Sequence, residues 1–194
     1  MLKILIGERK IFSTVNLTVK GTLMVDLTKD QKETILTVTR DRQLLGNQTQ
    51  ETMRNLILVC LENQKYFFSR QELLPRFLEE YCTVKIACGR QTGLTTAAVK
   101  LAHNMFEHSV FIASSTASKK YAEEIFKQIY DKALHRTHFC TPLSLEKEYG
   151  SPIEAVFVDD ASMLSIATIN EINSSCRRSL KANAERPFVL VLVG

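Results

Sequence analysis

The stretch Val84-Lys85-Ile86-Ala87-Cys88-Gly89-Arg90-Gln91-Thr92-Gly93-Leu94-Thr95-Thr96 decides how this chain is read. The apolar run at its start predicts a strand. Ala97-Ala98-Val99-Lys100-Leu101-Ala102, just after it, is a strong helix former. Between strand and helix lies a loop holding Gly89 and Gly93. Backbone N–H groups lining such a loop, with the partial positive charge of a helix N-terminus, favour a phosphate. The plainer reading is a strand-to-helix turn that needs a glycine.

The loop is close to the Walker A pattern G-x-x-x-x-G-K-[ST]. Gly93 takes the second glycine and Thr95 the magnesium hydroxyl. Cys88 falls where the first glycine belongs, with Gly89 one place later, and Leu94 occupies the lysine position. That lysine offsets charge on the β- and γ-phosphates, which leucine cannot do. Arg90, in the same loop, offers a cation from another direction.

Downstream, Ile153-Glu154-Ala155-Val156-Phe157-Val158-Asp159-Asp160 predicts a buried strand ending in two adjacent carboxylates. Burying charge is costly unless something pairs with it, and a Mg²⁺-nucleotide would. Asp159 is then the candidate for the magnesium shell and Asp160 for orienting water. Alone, the pair reads equally well as a strand end whose Asp caps the next helix. The Gly-loop about 65 residues upstream favours the functional reading.

Other elements extend the alternation. Ser109–Ala113, Thr137–Thr141 and Phe188–Val193 read as strands, giving five with 83–87 and 153–158. Ser114-Ser115-Thr116-Ala117-Ser118 reads as a polar turn. Lys119–Leu134 reads as an amphipathic helix with Tyr121, Ile125, Ile129 and Ala133 on one stripe, and Ser162–Lys181 as mostly helical. Helices between strands imply an α/β fold, a mostly parallel sheet with helices on both faces. Ligand would lie beyond the strands' C-terminal ends.

Upstream, Ser69-Arg70-Gln71-Glu72 is a capping box, with Leu73, Leu74, Phe77, Leu78 and Tyr81 on a buried face; Pro75 kinks that helix or delays its start. Residues 48–62 read as a helix with Met53, Leu56, Ile57, Cys60 and Leu61 inward, although Leu56–Leu61 also fits a buried strand. Residues 1–45 read as a small β-rich module. Val15, Leu17 and Val19 alternate with polar residues, as do Leu23, Val25 and Leu27, then Leu36 and Val38, with a turn at Thr28-Lys29-Asp30-Gln31. The expected division is therefore 1–45 and 46–194. The β module is open to a lid or a partner-docking role.

Composition sets the bounds. The 194 residues are 45% hydrophobic, enough for a full core. No run of 18 apolar residues and no signal-peptide pattern is present, so a soluble, intracellular chain is expected, with no membrane partner. Cys60, Cys82, Cys88, Cys140 and Cys176 are scattered without a C-x-x-C, which fits thiols better than disulfides. His135, His138 and Cys140 fit no zinc spacing well and lack an evident fourth ligand. The net charge of +4 permits a nucleic-acid partner without indicating one, and Arg177-Arg178 and Lys181 read first as a solvated face.

Taken in order, these motifs resemble the first RecA-like domain of P-loop motor ATPases, namely superfamily-one helicases and the large subunits of phage terminases. The resemblance covers residues 69–194. Gln71, 22 residues before Gly93, is similar to the helicase Q motif, which reads adenine. Gly89-Arg90-Gln91-Thr92-Gly93 is similar to the terminase loop, in which Arg-Gln precedes Gly-Lys. Ala113-Ser114-Ser115-Thr116-Ala117 resembles motif Ia. Val156-Phe157-Val158-Asp159-Asp160-Ala161-Ser162-Met163 resembles motif II, usually Asp-Glu-Ala-Ser, and Val189–Gly194 the strand opening motif III.

The resemblance implies Mg-ATP as cofactor and nucleic acid as partner, within a larger motor assembly of cellular or viral origin. It implies that Gly89, Gln91, Thr92, Gly93 and Thr96 hold phosphates, that Gln71 reads adenine and that Thr95 and Asp159 hold magnesium. Asp160 would position water and Arg90 compensate charge. Three departures count against a working motor. Leu94 replaces the lysine, Asp160 replaces a glutamate, and the 194 residues stop before the rest of motif III and a second RecA-like domain. Weak binding and slow or absent hydrolysis are expected. The other expectation is a non-catalytic scaffold that keeps the fold, loses the nucleotide site and binds a protein partner or nucleic acid.

Overall fold

A computed structural model describes residues 4–6, 9–11, 16–17, 23–24, 29–66, 76–87, 93–130, 137–144, 153–182 and 186–194, with side chains from Gln43 onward, those at 181 and 182 excepted. The chain divides into two compact units, Met1–Asp41 and Arg42–Gly194. The first holds two short antiparallel ladders. β1 (Ile4–Ile6) pairs with β2 (Arg9–Ile11), and β3 (Asn16–Leu17) with β4 (Leu23–Met24).

Helix α1 (Lys29–Lys65) corrects the reading of residues 29–45 as strand and turn. Leu36 and Val38 were two matches to a period of two, too few to distinguish strand from helix. Helix propagates cooperatively once begun, so two alternating residues do not hold out against it. The same helix settles Leu56–Leu61. Thr49, Met53, Ile57 and Gln64 are buried at helical spacing, whereas Leu56, expected inward, is 43% exposed.

The second unit is an open sheet of five parallel strands: β5 (Thr83–Ile86), β6 (Ser109–Ile112), β7 (Thr137–Cys140), β8 (Ala155–Val158) and β9 (Val189–Val193). Their spatial order is β5-β9-β8-β6-β7, so all five C-terminal ends share one edge. The α/β reading of a parallel sheet with helices on both faces is what the structure has. α1, α3 (Leu94–Met105) and α4 (Thr116–Tyr130) cover one face, where Met53, Ile57, Ala98, Phe126, Phe157 and Val191 form one cluster. α2 (Phe77–Tyr81) and α5 (Ile166–Ala182) cover the other, with Phe77, Leu78, Val156, Ile172 and Leu190 in a second. β8 is buried on both faces, which explains why it reads as an unbroken apolar run.

Two helices differ in detail from expectation. α4 starts at Thr116, so Thr116-Ala117-Ser118 is helix rather than turn, capped where the Ser118 N–H donates to Ser115 Oγ at 3.1 Å. Its buried residues are Ala122, Ile125 and Phe126, while Tyr121 is 58% exposed. Packing of the Phe126 ring on Phe139 and His103 sets that phase. α2 begins at Phe77; the capping box at 69–72 and Pro75 lie outside the described residues.

Candidate functional site

β5 leads toward Gly93, which has φ 75° and ψ 19° and stands at the N-cap of α3. This left-handed backbone is where glycine is needed, since a Cβ there is strained. The Gly93 carbonyl accepts the Ala97 N–H at 2.9 Å, and the helix runs on through Thr95 and Thr96, both half-buried. α3 packs back over β9, the strand between β5 and β8. Its first turn thereby reaches the end of β8.

There the Thr95 hydroxyl stands 3.1 Å from Asp159 Oδ1 and 3.0 Å from Oδ2. A carboxylate only accepts, so Thr95 donates. Asp159 is 4% exposed, and its own N–H donates to the Ile112 carbonyl of β6 at 2.9 Å. Among the described residues it has no ion-pair partner. Burial pushes its carboxyl up to about 6; the Thr95 hydroxyl opposes that shift and the neighbouring Asp160 charge adds to it.

Asp160 follows with φ 50° and ψ 39°, among the described residues the one non-glycine at positive φ. The turn separates the two carboxylates. Asp159 lies under α3, and Asp160 is exposed, with Ser114 Oγ 3.3 Å from its Oδ2. Leu94 is half-buried and packs against the apolar cluster of the α1–α3–α4 face. A half-buried hydrocarbon resting against the core therefore occupies the position where the motif has a cation.

Gly93, Thr95, Thr96, Asp159 and Asp160 are thus gathered at one sheet edge. Gln71, Gly89, Arg90, Gln91 and Thr92 lie outside the described residues, as do Cys88 and His135. Residues given no role at the site from sequence also border it. A Cβ at Gly93 would stand 3.4 Å from Gly46 Cα of α1. Gly46 falls just before the helix expected over 48–62, so it entered that reading only as a junction residue. At the end of β9, a Cβ at Gly194 would meet Ser162 N and Oγ at 3.0 Å.

No protein-family model matches the chain, and no curated protein matches it. Among solved structures, the chain is similar to a mutant large-terminase ATPase domain of Thermus phage P74-26, at 14% identity and a TM-score of 0.36. The match covers 56% of this chain and 58% of that domain. No helix among the described residues is long and apolar enough to cross a membrane.

Proposed function

We propose that residues 46–194 form a P-loop ATPase-like domain of helicase or terminase type that binds Mg-ATP and acts with nucleic acid inside a larger assembly. The observation that carries this reading is the Thr95–Asp159 contact across β9. A hydroxyl and a buried carboxylate with no ion-pair partner among the described residues are a hard-oxygen donor pair, and they suit Mg²⁺, which takes its remaining ligands from phosphate and water. Thr95 and Asp159 would hold the metal, which would offset charge on the β- and γ-phosphates.

In this reading the main-chain amides around Gly93, with Gly89, Gln91, Thr92 and Thr96, hold phosphate oxygens, and Gln71 reads adenine. Asp160, exposed beside Asp159, orients the attacking water. Arg90 supplies the cation that Leu94 withholds. Without the lysine, turnover is slow.

Calorimetry with ATP and magnesium tests the reading. Micromolar binding that is lost in Asp159→Ala supports it, and no heat up to millimolar ATP removes it. Titration with single- and double-stranded nucleic acid across salt tests the partner. A steep salt slope supports phosphate contacts, and a flat response argues for a protein partner.

The core packing of Leu94 favours a second reading, a pseudo-ATPase scaffold. Leu94→Lys separates the two. Faster phosphate release in that variant means the site lacked only its cation, whereas unchanged silence alongside absent ATP binding favours the scaffold.

A further inference from the structure

We infer that Ser114 is a positioning residue for Asp160, fixing where that carboxylate stands and tying it to the first turn of α4. The inference deepens the ATPase reading and rests on it.

β6 and β8 pair in parallel register, ending at Ile112 opposite Val158. Ser114 and Asp160 lie two residues past that pair on their respective strands, so the register itself sets them side by side. Asp160 stands in a left-handed turn and is exposed, whereas Asp159 beside it is buried. On an exposed residue such a carboxylate is free to sample several rotamers. The Ser114 hydroxyl, 3.3 Å from Oδ2, gives it a partner on a rigid neighbour.

Ser114 is held in turn. Its Oγ lies 3.4 Å from Ser118 Oγ, which lies 3.0 Å from Ser115 Oγ. Because the carboxylate only accepts, the protons run one way: Ser115 donates to Ser118, Ser118 to Ser114, and Ser114 to Asp160. Each bond polarises the next. Ser115 also caps α4 through the Ser118 N–H. The aim of Asp160 is therefore set by the end of β6 and the first turn of α4 as well as by its own turn.

Two measurements test this. The first is a double-mutant cycle of Ser114→Ala and Asp160→Ala, read as the unfolding equilibrium constant of the ligand-free chain. Coupling of about threefold or more is expected, and additive effects overturn the inference. Since no nucleotide is present, this arm decides the contact whether or not the chain turns over. The second is phosphate release with Mg-ATP. Ser114→Ala is expected to lower kcat about three- to tenfold while the Kd for Mg-ATP stays within about twofold, and Ser114→Thr, which keeps the hydroxyl, is expected to restore it. An unchanged or faster kcat in Ser114→Ala overturns the role. A wild-type chain that binds no Mg-ATP overturns the ATPase reading itself, a result the cycle does not depend on.

Discussion

At Asp159, burial opposes ionisation and the Thr95 hydroxyl only partly offsets it. Below its ordinary value of 3.8, folded and unfolded chains both carry the proton. Between there and about 6 the folded chain keeps a proton that the unfolded chain has released. This group's contribution to stability therefore falls as pH rises through that window, and the penalty is complete above it. Asp159→Asn, which keeps an oxygen facing Thr95, is expected to stabilise the ligand-free chain by about 1–3 kcal/mol at neutral pH, with little effect near pH 4. Urea titrations at both pH values check this.

Gln64 is a second residue whose role is visible only in three dimensions. It is fully buried on α1, and its Nε2 donates to the carbonyls of Phe188 at 2.8 Å and Tyr81 at 3.2 Å. Its Oε1 accepts the Phe188 N–H at 3.1 Å. One amide thus satisfies the main chain entering both β5 and β9. Gln64→Leu strands the Phe188 groups, and a loss of about 2–4 kcal/mol in denaturant unfolding is expected.

At the scale of elements, α1 and the start of α3 meet glycine to glycine, and the two glycines differ in what they require. Gly93 has a positive φ, so Gly93→Ala is expected to cost about 1–2 kcal/mol through backbone strain. At Gly46 an added Cβ meets nothing within 4 Å. Gly46→Ala therefore gains helix propensity, up to about 1 kcal/mol. Thermal melts of the two variants should move in opposite directions. An Ala at 46 that lowers the midpoint would show that the close approach of α1 to the loop depends on glycine there.

On the scale of the whole molecule, the strand order puts the ends of β5 and β8 on either side of β9 and lets the first turn of α3 close over the gap. If the site binds Mg-ATP, the ligand joins elements far apart in sequence, and mass action stabilises the folded chain. At a hundredfold excess over Kd the gain is about 2.7 kcal/mol. For a unit of this size that raises the melting midpoint by about 5–10 °C. The rise should vanish in Asp159→Ala, and scanning calorimetry with and without magnesium reads both.

The amino-acid sequence by itself determined the five strands, the loop-to-helix junction at Gly93 and the carboxylate pair closing β8, because apolar runs and turn residues act over a few neighbours. It did not determine the length of α1, since two alternating residues carry too little periodicity against cooperative helix growth. It placed Ile125 correctly on the inward face of α4 but put Tyr121 and Ile129 there too, because the phase of that helix was chosen by Phe139 and His103. The resemblance had already paired Thr95 with Asp159 as metal ligands; only the tertiary structure decided that their side chains are in direct contact, that Ser114 faces Asp160 and that Gln64 closes the base of the sheet. Those contacts follow from strand order and register, which depend on which distant surfaces bury each other best and leave no local mark on the chain.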